Sequence, residues 1–250
     1  MISLVIGNGL FYALLENLPS LQQQGFYHSG IFWHPRSMGQ PDCRLYLWIM
    51  TEPNPSVDVI VIGGGPAGLM AAGQAALGGP SVLLLEKMDQ PGRKLRITGM
   101  GRCNLTNIID REAFITHFGR NGRFLRQAFG RFFNQDLIRF FESIGVETVA
   151  ERGGRVFPND MDAKELTAKL ANWAKTCGVE IIRECPVDKV SIQDGRITGV
   201  LTRAGRQFTA NHVIIATGGA SYVGTGSTGD GFRMAQELGH TIKSIRPALV

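Results

Sequence analysis

Cysteine is scarce in this chain and unpaired where it occurs. Cys43, Cys103, Cys177 and Cys185 form no CxxC pair and stand at no metal-ligand spacing from a histidine. This argues against a disulfide framework, a dithiol redox motif and a zinc site, and a reducing, cytoplasmic setting is expected. Long apolar runs are missing too, and the first residues lack the basic stretch that opens a signal peptide, so no membrane partner is expected. His117, His212 and His240 have no carboxylate or cysteine companion at triad or metal spacing, and no catalytic acid, base or metal ligand can be named from them. Charge of either sign is only modestly in excess, at a formal +5, and the cations are scattered. That fits an anionic small ligand, and no nucleic-acid partner is expected from it.

Charge is rarest of all in residues 1–49, where Glu16, Arg36, Asp42 and Arg44 are the only charged side chains; the first lysine of the chain is Lys87. "MTEPNPS" from Met50 reads as an ordinary polar lead into a first strand. Residues 1–49 are therefore expected to be an extra segment, with translation starting at Met50; peptides from Phe11–Arg44 in the natural protein would refute this. Residues 50–250 are expected to form one discontinuous nucleotide-binding domain. The chain stops at "IRPALV" with no capping pattern, so that domain is expected to be incomplete at its C-terminus.

From Val57 the hydrophobic pattern is regular. "VDVIVI" reads as a buried strand, "GGGPAG" as a turn, "LMAAGQAAL" as a small-residue helix and "SVLLLE" as a second buried strand, an opening βαβ unit of an α/β fold. Two helical stretches follow around Phe124–Phe133 and from Asn134 as N-cap to Gly145, the second with Leu137, Phe140, Phe141 and Ile144 on one face. "VETVAERGGRVFP" predicts a hairpin turning at Gly153-Gly154. Asp162 and Glu165 predict a capped helix that Gly178 closes. "VEIIRE", "VDKVSI" and "ITGVLT" predict strands, the last two joined at Asp194-Gly195. "HVIIAT" is a further buried strand, and a last helix is expected near Asp230.

The turn places Gly63, Gly65 and Gly68 in a GxGxxG frame between strand and helix. Gly63 permits the tight turn, Gly65 lets backbone approach a pyrophosphate, and Gly68 lets helix pack on strand, while the helix N-terminus offers oriented N–H groups. Pro66 is accommodated in the first helical turn. Glu86 ends the second strand about twenty residues on, where an acidic side chain accepts from both ribose hydroxyls of an adenosine and would repel a 2′-phosphate. FAD or NAD is favoured over NADP at this first site. The later run "ATGGASYVGTGSTGDGF", with Thr217-Gly218 at a strand end and Asp230 opening a helix, is characteristic of flavoproteins with two dinucleotide folds.

With these runs, "GRKLRITGMGRCNLTN" and "GGRVFP" make the stretch from Val57 to the end resemble the BaiN-like (YhiN-type) family of NAD(P)/FAD-dependent oxidoreductases, also called aminoacetone oxidase family FAD-binding enzymes. The resemblance implies a Rossmann-like FAD-binding domain of the two-dinucleotide-fold type, assembled from discontinuous segments, with an inserted second domain. It implies FAD, NAD(P)H as a possible donor and a small organic substrate; the flavin is expected to be bound non-covalently, because where an attached flavin would need a histidine the loop has "GMGRCN". It also implies that the loop after Glu86 and Lys87 lies along the cofactor. Arg93 and Lys94 would stand at the pyrophosphate, and Gly101, Arg102, Cys103 and Asn104 beside the ribityl and flavin half. The site would further include Ala67, Val187 with its backbone at the adenine, Thr217, Gly218 and Asp230.

Alternatives stand beside several of these readings. The basic loop could be a solvated surface, Val187 an ordinary strand residue, and Cys103 either a low-pKa thiol or a structural one. "FGRNGRFLRQAFGRFFNQDLIRFF" could be a nucleic-acid surface, but helical spacing groups its phenylalanines on shared faces, which favours core packing; exposed aromatics in a structure would reopen the case. A NAD-linked dehydrogenase, a flavin-dependent RNA-modifying protein and a non-enzymatic FAD-binding protein are the competing functions.

Overall fold

The computed structural model describes residues 2–4 and 54–246. The expected boundary at residues 49/50 lies outside the described residues. The apolar run near the start forms β2 (Ser56–Ile62), buried without interruption from Val59 onward. A helix, α1 (Pro66–Leu77), leads to β3 (Val82–Leu85), which is buried throughout. After a long excursion the chain returns through α5 (Ala163–Thr176) to β7 (Val179–Ile182), then runs as β8 (Val187–Gln193), β9 (Arg196–Thr202), β10 (Gln207–Ile215) and α6 (Asp230–Glu237). Together with the short β1 (Ile2–Leu4) these strands make one seven-stranded sheet in the order β7-β3-β2-β10-β9-β8, with β1 also paired to β10.

The strands β7, β3, β2 and β10 are mutually parallel, and Ile62 stands level with both Leu85 and Ile215, so three strands end on one line. Parallel strands need both faces covered. Val59, Val61 and Leu84 pack under α1 and α5 with Leu69, Leu166 and Leu170, whereas Ile60, Ile62, Leu83 and Leu85 pack on the other face with Val213, Ile215 and Met234 of α6. The contact of α1 with α5 is close because Gly73 has no side chain: a Cβ there would lie 2.4 Å from the Trp173 ring.

The excursion carries a distorted 3-10 segment (Leu95–Gly101), α2 (Arg111–Thr116), a second 3-10 segment (Gly119–Leu125), α3 (Arg126–Arg131) and α4 (Asn134–Ser143). A small antiparallel sheet of β4 (Thr106–Asn107), β6 (Arg155–Pro158) and β5 (Thr148–Ala150) completes it. The expected turns at Gly153-Gly154 and Asp194-Gly195 form with positive φ at both central residues (79° and 74°; 51° and 73°), the conformation a tight hairpin turn requires.

Three local features differ from the pattern reading. Asn134 is the first residue of α4 rather than its cap: its amide donates to the carbonyls of Asn107 (2.7 Å) and Ile109 (2.9 Å), while Asp136 reaches back to the N–H of Phe133 (2.7 Å). β10 begins at Gln207, upstream of the expected "HVIIAT", because Gln207–Thr209 pairs with β9. The helix α2 was not anticipated; Asp110 caps it by accepting from the N–H of Ala113. Among the described residues no helix is long and apolar enough to cross a membrane.

Candidate functional site

Where the parallel strands end level, β3 continues the sheet on one side of β2 and β10 on the other. Such a switch point opens a crevice at the carboxyl ends of the strands. A cleft of about 360 Å³ lies there, walled by the turn after β2, the segment Glu86–Leu105, the end of β10 and the start of α6, with Leu137 and Phe141 of α4 added from the excursion.

Each glycine of the GxGxxG turn has a different job. Gly63 adopts φ 105°, and a Cβ there would lie 2.6 Å from the carbonyl of Ala216, so the ends of β2 and β10 touch through it. A Cβ on Gly68 would fall 1.8 Å from the carbonyl of Gly63, which fixes how closely α1 lies on its strand. Gly65 differs. It caps α1 at φ −69°, ψ 176°, a conformation open to any residue, and no protein atom lies within 4 Å of its would-be Cβ. Its bareness serves no internal packing; it faces the cleft.

Glu86 is held from both ends: Oε2 accepts from the N–H of Gly64 at 2.6 Å and Oε1 from that of Met88 at 2.8 Å. Burial pushes its carboxyl above the usual carboxylate range, outweighing these N–H groups and the Lys87 charge. Lys87 spans the cleft to Asp230 (2.6 Å) and Thr228 (2.6 Å), and Arg203 reaches the same carboxylate at 3.3 Å. Burial alone would raise the Asp230 pKa, but the hydrogen bonds from Lys87 and Thr228 and the two cationic charges hold it below its ordinary value. Lys94, its pKa lowered by burial, donates to the carbonyl of Ser221 at 2.7 Å and so ties the basic loop to the turn after β10.

The cleft wall includes Gly63, Gly65, Pro66, Ala67, Glu86, Lys87, Arg93, Lys94, Cys103, Asn104, Val187, Thr217, Gly218 and Asp230 from the sequence-derived set. Gly68, Gly101 and Arg102 do not line it. Gly68 lies beneath the wall as a packing residue. Arg102 turns outward, paired with Glu151 and stacked with its guanidinium 4.4 Å from the centre of the Phe157 ring. Cys103 is buried with φ 60°, and burial raises its thiol pKa, so the low-pKa alternative does not hold. Sequence reasoning missed Leu137 and Phe141, because the apolar face of α4 reads as ordinary core, and Thr228, which nothing in its spacing separates from a turn residue.

The cleft suits the two-phosphate half of a dinucleotide: a bare backbone at a helix N-terminus, a pinned acid at the neighbouring strand end and cations on the facing loop. Comparison with known proteins agrees with this geometry. Residues 57–245 match the family model described as HI0933-like protein Rossmann domain. The 3-dehydro-bile acid delta(4,6)-reductase of Clostridium scindens is 34% identical over 194 residues, covering 76% of this chain and 46% of that protein. The ribosomal RNA dihydrouridine synthase of Haemophilus influenzae is 32% identical over 194 residues, covering 76% and 47% respectively. The chain thus spans about half the length of these curated relatives. Among solved structures, the open conformation of a flavocytochrome c3 fumarate reductase shares the fold with a TM-score of 0.55 at 24% identity, over 82% of this chain and 44% of that one.

Proposed function

The chain belongs to the HI0933-like Rossmann-domain family, and from that premise we propose that it is a FAD-dependent oxidoreductase of the reducing cytoplasm. It holds its flavin non-covalently and passes hydride between NAD(P)H and a small organic substrate, with oxygen as the alternative acceptor. The observation that carries this reading is Gly65, a bare backbone position at the N-terminus of α1 that opens onto the cleft between the strand ends. Bound FAD supplies the reversible redox chemistry, and the protein supplies binding, orientation and electrostatics.

In this reading Gly65 and Ala67 bring N–H groups to the pyrophosphate at the positive end of the helix dipole, Pro66 starts the helix without an N–H, Gly63 spends its own N–H on the Leu85 carbonyl and makes the turn, and Gly68 keeps α1 in place behind them. Arg93 and Lys94 offset phosphate charge from the facing loop. Glu86 accepts from the adenosine ribose, and Val187 offers its backbone to the adenine edge. Cys103 and Asn104 line the ribityl side, with Gly101 and Arg102 shaping the loop that carries them there. Thr217, Gly218, Lys87 and Asp230 close the far wall. The small sheet and α2–α4 belong to the inserted second domain. On anaerobic mixing of the natural full-length protein with NADH or NADPH, the flavin band near ~450 nm is expected to bleach with one of them. A flavin that neither nucleotide reduces would leave a non-enzymatic FAD-binding protein.

Glu86 gives this reading a pH signature. Because its folded pKa is raised, its own contribution to stability is full below the unfolded value of 4.5 and is lost as pH rises through the folded value. Cofactor binding runs the other way, since accepting from both ribose hydroxyls requires the carboxylate. FAD affinity is therefore expected to fall on acidification while the pH is still above 4.5, and Glu86→Gln is expected to bind more weakly but without that acid limb. FAD fluorescence released as a function of pH checks both; an identical limb in the variant would rule out Glu86 as its source.

A second reading, a flavin-dependent enzyme acting on RNA, is favoured by a separate observation. Phe124 is 87% exposed amid arginines, and the similar protein of H. influenzae is named as acting on ribosomal RNA. The composition-based expectation of no nucleic-acid partner is set aside on this ground.

A further inference from the structure

The segment Asp110–Phe133 packs as a lobe of its own. Ile115, Leu125 and Phe129 are buried together with Phe114 and Phe133 against them. Phe114 meets Phe129 and Phe133 edge-on at 5.4 and 5.3 Å, and Phe118 closes on Phe114 at 5.9 Å. The phenylalanines are thus mostly core, as their spacing predicts. Phe124 is not: it lies in the 3-10 segment between the buried Gly122 and Leu125 with its ring in solvent. A large ring held outward, when Phe114, Phe129 and Phe133 beside it join the core, is a feature that packing does not explain.

The charges around it point the same way. Arg111, Arg120, Arg123, Arg126 and Arg131 face Asp110 and Glu112 as the only acids of residues 110–131. Asp110 is used as the cap of α2 and Glu112 pairs with Arg126 at 2.8 Å. Arg120 and Arg123 are exposed and form no ion pair among the described residues. Both flank Phe124 in the same 3-10 segment. The lobe runs directly into α4, whose Leu137 and Phe141 line the cleft, and Asn134 pins that junction to the carbonyls of Asn107 and Ile109.

We propose that this face, Arg120, Arg123 and Phe124, docks single-stranded RNA, the arginines at phosphates and the Phe124 ring under an unstacked base. A polyanion complements the unpaired cations, and a single strand supplies the free π-face an exposed ring can use. The choice of RNA over other polyanions rests on the second reading above; the face itself does not. A tail of another protein would have to be acidic and aromatic-binding at once, and is an outcome of the test.

The test is fluorescence anisotropy of a labelled uridine-rich single-stranded RNA with the natural full-length protein over a range of salt. Affinity is expected to fall steeply with salt. Each phosphate contact contributes about 0.7 to the slope of log affinity against log salt, so Arg120→Glu with Arg123→Glu is expected to flatten it by roughly 1.4. Phe124→Ala is expected to cost about tenfold in affinity with no change of slope. Both variants should keep the flavin spectrum and melting temperature, and Phe124→Ala keeps the test valid if the double variant folds poorly, because its ring makes so little contact. Wild-type affinity in Phe124→Ala, no RNA binding by the native protein, or a Phe124 shielded by a protein partner would each overturn the proposal. A colourless protein that binds RNA through this face would sink the flavin reading alone, and a yellow protein without RNA affinity would sink the docking face alone.

Discussion

Gly65→Ala is expected to strip the protein of its flavin while leaving the fold almost untouched. The backbone at Gly65 is extended, so alanine adopts it without strain, and no protein atom stands within 4 Å of the added methyl. The only folding cost is that of replacing a tolerated helix cap by a poor one, a few tenths of a kcal/mol to about 1. In the proposed site the ligand, by contrast, approaches the backbone at this position, and a methyl between them would keep the pyrophosphate from the N–H groups of α1. Losing even one charge-assisted hydrogen bond corresponds to roughly 1.5–3 kcal/mol, so affinity should fall by at least about tenfold. The FAD-to-protein ratio after dialysis, read beside the thermal unfolding curve, checks this. Retained FAD in Gly65→Ala would mean the cofactor does not pass over this turn.

Gly68→Ala, three residues on, is expected to do the reverse and damage the fold. Its methyl would lie 1.8 Å from the carbonyl oxygen and 3.0 Å from the carbonyl carbon of Gly63, and both are backbone atoms that no rotamer change can move. Alanine gains up to about 1 kcal/mol in helix propensity over glycine. Overpacking typically costs 1–3 kcal/mol and occasionally more, and a contact this short belongs at the upper end. The net loss should lower Tm by roughly 5–10 °C, given about 2–4 °C per kcal/mol for a chain of this size. An unchanged Tm would show that α1 can back away from its strand, and with it that the turn is less rigid than the geometry implies. The pair of substitutions separates binding from packing within one motif of six residues.

Much of this architecture was readable because it rests on local rules. The buried runs at Val57–Ile62 and Val82–Leu85, the glycine turn between them and the glutamate after them specify their own structure and, through it, one wall of the cleft. What escaped reading depends on partners distant in sequence. Arg102 is expected beside the ribityl and flavin half, yet Glu151 and Phe157 draw it out to the small sheet. Lys87 finds Asp230, 143 residues away, and no spacing rule connects them. Asn134 looks like a cap because caps are asparagines, but two carbonyls from the preceding excursion compete for its amide. The aromatic pattern gave the right face for Phe129 and Phe133, did not reach Phe114, and gave no sign that Phe124 would be left outside.

The measurement that bears most directly on the account is the visible spectrum of the natural full-length protein, purified without added cofactor, with the released flavin identified and counted per chain. Bands near ~375 and ~450 nm are expected, with FAD released intact on denaturation at about one per chain. A colourless protein that takes up no FAD when it is supplied would contradict that expectation, and would leave the bare face of Gly65 without a ligand.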